Sequence, residues 1–341
     1  MSEIEIEIDC RNVWKIYGTR ADEALAAVRA DNLSKDEVRD KFDCVLGVRD
    51  ASFSVAKGEI FCIMGLSGSG KSTLVRHVNR LIEPTAGEIH VSGKRVDTMD
   101  EPTLRQLRAE TIGMVFQHMA LWPHRTLAEN VAFGLEVRDV PLAKRRAAAE
   151  RALGSMELQG WEDHYPDQLS GGMQQRVGLA RALAADPKIL LMDEPFSALD
   201  PLIRRQLQDQ FLELSKKVRK TTVFITHDLD EAIRMGDHIA IMNDGVIVQT
   251  GTPEQIVLNP VDAYVTEFVK GISRVSLVRA ETIMAPMGGR KATPKTVPLG
   301  SELGDIMDRF MADQSPVTVV NPEGGAVGHI TITDALQALR G

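Results

Sequence analysis

The chain contains no apolar run near the ~18 uncharged residues that a membrane-spanning helix requires, so no span is expected. Cysteines number three, Cys10, Cys44 and Cys62, at no metal-like spacing, and Cys62 falls within an apolar stretch. Reduced, structural thiols are therefore expected, and a disulfide framework or cysteine metal site is not. Aromatic residues make up only 5%. Basic residues do not predominate either: 40 Lys and Arg stand against 48 Asp and Glu, a net charge of −8. That balance argues against a nucleic-acid surface, which needs a concentrated basic face. The one basic cluster, Lys144-Arg145-Arg146 with Arg151, lies on an Ala-rich helical stretch and reads as a solvated face. The N-terminus alternates Glu and Ile without a basic, hydrophobic signal pattern, so a cytosolic location is expected.

What is present is enough for a folded core. Hydrophobic residues are 43% of 341, which suits one large or two moderate domains. The most informative stretch is GLSGSGKST, from Gly65 to Thr73. An apolar run, Ile60 to Met64, precedes it, and a helix-like segment, Leu74 to Val78, follows. Strand, glycine-rich loop, helix is the context of a phosphate-binding P-loop. Gly65, Gly68 and Gly70 allow backbone angles that turn the N–H groups of the loop, through Leu66, Ser67 and Ser69, around an anion. The helix adds its positive end. Lys71 is placed to reach the β- and γ-phosphates, and Ser72 to sit on Mg²⁺. Kinases, GTPases and transport ATPases all share such a loop.

The rest of the chain alternates strands and helices. Ile4, Ile6 and Ile8 alternate with Glu5, Glu7 and Asp9, the pattern of a half-buried strand running into Asn12–Gly18. A second strand is expected at Ala51–Val55. Between them lies an insert of two helices, the second opened by Ser34 with Glu37 three residues on, a capping box. The insert carries no chemical motif and reads as a packing or docking element. A hairpin at Glu88–Val96, a short helix from Pro102 to Ala109 and a strand at Ile112–Phe116 follow, with Gln117 at the strand's end. His118–Arg125 reads as an exposed loop, and Thr126 with Glu129 caps the next helix. The unalternating runs Ile189–Met192 and Thr222–Ile225 fit a parallel sheet covered on both faces. Asp200-Pro201 opens a helix whose Ile203, Leu207, Phe211, Leu214 and Val218 form one apolar face.

Three further features bear chemistry. Asp193-Glu194 closes an apolar strand, where loops gather at the carboxyl ends of a parallel sheet. Asp193 can hold Mg²⁺ and Glu194 can orient or deprotonate an attacking water. An acidic pair there is otherwise often a helix cap, but Pro195 and the upstream P-loop weigh against that. Leu169-Ser170-Gly171-Gly172-Met173-Gln174-Gln175-Arg176 places a serine and two glycines before a helix, a second anion site at a helix N-terminus. His227 follows the strand Val223–Thr226.

Together and in this order, these motifs resemble those of ATP-binding cassette (ABC) ATPases. The Ser170 run matches the signature, Gln117 the Q-loop, Ser197-Ala198-Leu199-Asp200 the D-loop and His227 the switch histidine. Tyr17 is placed like the aromatic that stacks on adenine, with Trp14 as the alternative. The resemblance implies an α/β P-loop NTPase fold of the ABC type: a mixed-sheet core, an antiparallel β portion and a helical subdomain. It also implies a head-to-tail homodimer, in which the P-loop of one copy and Ser170, Gly171, Gly172 and Gln174 of the other clamp one ATP, with Asp200 beside it. Ser72, Gln117 and Asp193 would then attend Mg²⁺, and Glu194, His227 and Gln117 the lytic water.

The run Phe116–Thr126 resembles that of bacterial importer ATPases, and more narrowly the insert, the stretch Met64–Pro84 and the stretch Ser197–Gln206 are similar to the glycine betaine/proline (quaternary amine) uptake ATPases. That similarity implies a transmembrane permease as partner, indirectly a substrate-binding protein, no nucleic acid, and a peripheral site on the cytoplasmic face of the inner membrane. A polyamine or amino-acid importer is the alternative within transport. A non-transport ABC ATPase is the alternative outside it, disfavoured by the acidic balance and the lack of long coiled coils. Ser301–Arg340 resembles one cystathionine-β-synthase-type (CBS) repeat, a small α+β module that senses or dimerises, with a degenerate first copy conceivable near Ala280–Pro298. The expected divisions are a nucleotide-binding domain over about 1–270, with its insert at about 20–46 and helical subdomain at about 118–170, a linker over 271–300 and the module over 301–341.

Overall fold

The computed structural model of the protein describes residues 5–117, 120–197, 199–289 and 291–340. The chain forms two compact units, Met1–Thr250 and Gly251–Gly341. The first opens with β1 (Ile6–Tyr17), passes through α1 (Ala21–Asp31) and α2 (Lys35–Phe42), and returns as β2 (Val45–Ala56). β3 (Ile60–Met64) then leads through the glycine-rich loop into α3 (Lys71–Val78). Next come β4 (Ala86–Val91), β5 (Lys94–Arg95), α4 (Glu101–Glu110) and β6 (Ile112–Val115). Three helices follow: α5 (Leu127–Glu136), α6 (Leu142–Ser155) and α7 (Gly171–Ala184). The unit closes with β7 (Ile189–Asp193), α8 (Pro201–Val218), β8 (Thr221–Thr226), α9 (Leu229–Met235), β9 (His238–Asn243) and β10 (Val246–Gly251).

Two sheets share one core. The antiparallel sheet has the order β2-β1-β4-β5, and the larger sheet the order β10-β9-β3-β8-β7-β6. Phe53 and Phe61, one from each sheet, stack with centroids 5.2 Å apart, and Leu74, Val75 and Val78 of α3 pack into the same cluster. Every residue of β3, β7 and β8 is buried, which is why these strands read as unbroken apolar runs.

Register decides what the sheet can do. β3, β6, β7, β8 and β9 run parallel, with Met64 beside Thr226, Asp193 beside Ile225 and Met192 beside Val115. The residues that follow these partners, Gly65, His227, Glu194 and the Phe116-Gln117 pair, therefore emerge along one edge, at the carboxyl ends of the strands.

Several expectations are adjusted. The alternation of the first strand breaks at its start: Ile6 is exposed and Glu7 buried, because a bulge shifts the β1–β2 register between Ile6 and Ile8. Glu7 is satisfied by the Ser92 hydroxyl. β2 begins at Val45, six residues earlier than expected. Asp50, at φ 48°, sits at an irregularity inside the strand and accepts from the Asn12 side chain at 3.0 Å, and the strand runs on through it. The helical subdomain extends past 170, since α5 and α6 both pack on α7. In the segment expected as an exposed loop, buried Asn130 binds the backbone of Trp122, Arg125 and Thr126, and the Trp122 ring lies 4.2 Å from Phe133. Both expected capping boxes, Ser34/Glu37 and Thr126/Glu129, are formed. The expectations at Ile4, His118, Met119 and Ala198, and those for the side chains of Leu214 and Val218, lie outside the described residues.

The second unit contains α10 (Pro253–Leu258), α11 (Ala263–Val269), α12 (Ala280–Ile283), β11 (Ala285–Pro286), β12 (Thr296–Pro298), α13 (Leu303–Ala312), β13 (Val317–Val320), β14 (Ala326–Ile330) and α14 (Ile332–Arg340). Its sheet has the order β11-β14-β13-β12, with β12 parallel to β13. One core joins Leu258, Val278 and Val297 to Leu303, Phe310 and Val319. The stretch 271–300, expected as a linker, thus holds two strands of this sheet, and residue 300 lies inside the unit.

His77 on α3 is fully buried, and its Nδ1 lies 2.6 Å from the Ile82 carbonyl, which can only accept, so the neutral ring carries its proton there. Burial pushes its pKa down from 6.5 to about 4. The unfolded chain binds this proton more readily than the folded one, so stability rises with pH between those values. Wild-type protein is expected to lose about 2–3 kcal/mol of stability through this group as pH falls from 6.5 towards 4. Denaturant titrations across that range should show the slope in wild type and its reduction in His77→Gln.

Candidate active site

The glycine-rich loop is held in a shape only glycine permits. Gly65 has φ 152°, and a Cβ there would come within 2.2 Å of the Met242 carbonyl. Gly70 has φ 99°, and its Cβ would meet the Gly47 carbonyl at 2.3 Å. The loop is tied from outside by the Gly245 N–H, which donates to the Ser69 carbonyl at 2.9 Å. Inside it, the Lys71 ammonium donates to the Gly65 and Leu66 carbonyls at 2.8 and 2.9 Å. Burial lowers the Lys71 pKa from its ordinary value, while Glu194 and Asp193 oppose that shift and favour the charged form.

Behind the loop sits a buried carboxylate, Asp193, 1% exposed. The Ser72 hydroxyl donates to one of its oxygens at 2.8 Å, and Arg76 donates to the other at 3.0 Å. Ser72 and Arg76 are four residues apart on α3 and so share a face. Arg76 was missed in the sequence, although that spacing was its signal. Beside Asp193, Glu194 adopts φ 49° and accepts from Gln117 Nε2 at 3.2 Å. His227 Nδ1 lies 3.5 Å from the same Glu194 oxygen, and its ring is largely exposed. Three strands thus bring Gln117, Glu194 and His227 together.

Of these groups, Lys71, Ser72, Gln117 and Glu194 line a cleft of about 530 Å³, together with Tyr17, Ser67, Gly68, Gly70 and Thr73 among others. Tyr17 is 38% exposed, its hydroxyl shares a hydrogen bond with Thr73 at 3.1 Å, and its ring covers Gly47. Trp14 is buried in the insert's core with Val28 and Leu46, so of the two aromatics it is Tyr17 that meets the cleft.

The signature residues lie elsewhere. Ser170 caps α7 by accepting from the Met173 N–H at 3.3 Å, and nothing stands within 4 Å of a Cβ built on Gly171. A Cβ on Gly172 would touch Leu199 at 3.2 Å. Gln174 donates to the Pro166 carbonyl at 2.8 Å, and Asp200 caps α8 by accepting from Ile203 N–H at 3.0 Å. None of the five lines the cleft of its own chain.

A P-loop on a parallel sheet, with a serine–aspartate pair behind it and a glutamate beside it, defines a P-loop nucleoside triphosphatase. A family model described as ABC transporter matches residues 48–197. The glycine betaine transport ATP-binding protein OpuAA of Bacillus subtilis (strain 168) is 51% identical, over 86% of this chain and 71% of its own length. The trimethylamine N-oxide transport system ATP-binding protein TmoW of Ruegeria pomeroyi is 44% identical, over 97% of this chain and 96% of its own. Among solved structures, a dimeric post-hydrolysis state of the ATP-binding cassette MJ0796, bound to ADP and Pi, aligns at TM-score 0.62 and 31% identity. That alignment covers 72% of this chain and 98% of the cassette. The chain belongs to the ATP-binding subunits of ABC transporters, in the glycine betaine/proline betaine transport family. Its activity is ATP hydrolysis coupled to transport. No helix among the described residues is long and apolar enough to cross a membrane.

Removing Arg76 leaves Asp193 buried with one partner fewer. Arg76→Ala is expected to destabilise the protein by roughly 1–3 kcal/mol, since the arginine is itself partly solvated. An unchanged denaturation midpoint would show that the pair contributes nothing.

Proposed function

We propose that the chain energises uptake of a methylated-nitrogen solute such as glycine betaine, proline betaine or choline. It would do so as a homodimer docked on the cytoplasmic face of a membrane permease, with a separate binding protein choosing the solute. The observation that carries this reading is the division of the site. One half, from Ser67 and Lys71 to Gln117 and Glu194, lines the cleft, with His227 beside Glu194, while Ser170, Gly171, Gly172 and Gln174 do not line it and Ser170 caps the start of α7. The relatives' names support the solute class: OpuAA is a glycine betaine subunit and OpuBA of Bacillus subtilis a choline subunit. Trimethylamine N-oxide is a second reading, favoured by the nearly full-length match to TmoW.

In this reading ATP lies with its base on Tyr17 and its phosphates in the loop from Gly65 to Thr73, including Leu66, Ser67 and Ser69. Lys71 would exchange its bonds to the Gly65 and Leu66 carbonyls for phosphate oxygens, a strong charge-assisted contact in a desolvated site. Magnesium takes hard oxygen ligands, usually one or two from the protein and the rest from phosphates and water. Ser72 and Asp193 supply such a pair, and among the described residues no cluster of three or more His, Cys, Asp or Glu could hold a metal by itself. The residues therefore fit Mg²⁺, which when bound neutralises phosphate charge. Glu194 would take a proton from the attacking water, with Gln117 orienting that water and His227 holding the γ-phosphate. A partner copy's signature helix would complete the site with its N–H groups, beside Asp200, which favours hydrolysis only in the closed dimer. The tail, including the part expected as a CBS-like module over 301–341, would serve regulation or dimerisation.

Glu194→Gln is expected to lower steady-state ATP hydrolysis by ~10²–10⁴-fold while ATP still dimerises the protein. Retained turnover would remove Glu194 as the base. Lys71→Ala should weaken ATP binding about 10–100-fold, the loss of one charge-assisted partner, and unchanged affinity in a calorimetric titration would contradict the loop's role.

A further inference from the structure

The insert between β1 and β2 carries no motif, yet its second helix lines the nucleotide cleft. Lys35, Asp36 and Arg39 of α2 face the same space as Gly68 and Lys71. The start of the helix lies at the P-loop: Lys35 Nζ is 3.1 Å from Asp244 Oδ1 and 3.5 Å from the Gly68 carbonyl. Just past its end, Cys44 Sγ stands 2.5 Å from where a Cβ on Gly18 would be, next to Tyr17. The helix thus runs along the cleft from the phosphate loop to the aromatic. Arg39, one turn beyond Lys35 on the same face, covers the stretch between.

This wall is fixed in place. Arg49 donates to the Leu33 carbonyl at 3.0 Å and to Asn32 Oδ1 at 2.5 Å, while its own N–H donates to the Gly245 carbonyl at 2.8 Å. Gly245 N–H in turn holds Ser69, so the insert, β2, the β9–β10 turn and the P-loop form one closed ring of hydrogen bonds. Beneath it, Leu25, Val28, Leu33 and Val38 pack on Trp14, Ile16 and Leu46.

The helix end is not what makes the wall attractive to an anion. Its first N–H groups are covered by the Ser34/Glu37 capping box, and Asp36 and Glu37 occupy its first turn. The positive charge comes from side chains. Arg39 is held by Asp36 at 3.0 Å and Asp40 at 3.4 Å, both exposed. Lys35 is held by exposed Asp244. Exposed pairs of this kind contribute at most about 1 kcal/mol, so a polyphosphate can compete for the cations.

We propose that α2 is a wall of the nucleotide site, in which Lys35 and Arg39 bind the phosphates of the bound nucleoside triphosphate, Lys35 from the loop end and Arg39 from one turn further along the helix. This rests on the cleft being the ATP site. The test is calorimetric titration of the full chain with a non-hydrolysable ATP analogue at several salt concentrations. The double variant Lys35→Gln/Arg39→Gln is expected to bind about 5–20-fold more weakly, with a shallower salt dependence and an unchanged melting temperature without nucleotide. Arg39→Glu should bind more weakly than Arg39→Gln, and Lys35→Arg should stay near wild type. Arg39 is exposed, so its single variants report even if the double variant unfolds. Wild-type affinity and salt dependence in Arg39→Glu and in the double variant would overturn the proposal. If Lys71→Ala also bound like wild type, the fault would lie in the cleft itself and not in α2.

Discussion

The catalytic unit depends on one buried ammonium that must stay charged and yet remain available. Lys71 is out of water, and desolvation works against its charge. Two backbone carbonyls of its own loop satisfy its donors, and two carboxylates at the end of β7, two strands away, favour the cation. The arrangement requires Gly65 to pass so close to Met242 that no side chain fits, and requires β7 to lie within two strands of β3. The shape of the loop, the order of the sheet and the identity of Asp193 and Glu194 are thus consequences of one electrostatic demand.

The same demand explains why the site is open on one side. The groups that a triphosphate would displace are internal stand-ins: carbonyls on Lys71, Ser72 on Asp193, Gln117 and His227 on Glu194. Each pairing lowers the cost of burying a polar group without sealing the cleft. The second unit has its own core from Leu258 to Leu339.

Much of this was legible beforehand because the signals are local. The P-loop is a contiguous run whose glycines are demanded by backbone angles, and capping boxes are four-residue patterns that need no tertiary knowledge. The buried strands β3, β7 and β8 announced themselves as unbroken apolar runs. Less legible were features produced by strand pairing. Ile6 and Glu7 exchange sides because a bulge shifts register, and β2 starts at Val45 and runs through an irregularity at Asp50 that Ala51–Val55 alone does not show. The stretch 271–300, rich in glycine, lysine and proline, looked like a linker, yet Val297 is buried in the second unit's core. Arg76 carries no motif beyond its four-residue spacing from Ser72, and its role comes from the carboxylate it meets.

By itself, then, the sequence determined the glycine-rich loop, the helix caps and the buried strands and their order, because these are set by short-range sterics and hydrogen bonding. Tertiary structure alone decided that Gln117, Glu194 and His227 meet, since only the parallel register aligns the ends of β6, β7 and β8. It also decided that the unmarked helix α2 lies along the cleft, because long-range packing on Trp14 and the Arg49 ring carry it there. Contacts between residues far apart in the chain leave no spacing to read, and that is the physical limit of what the sequence shows.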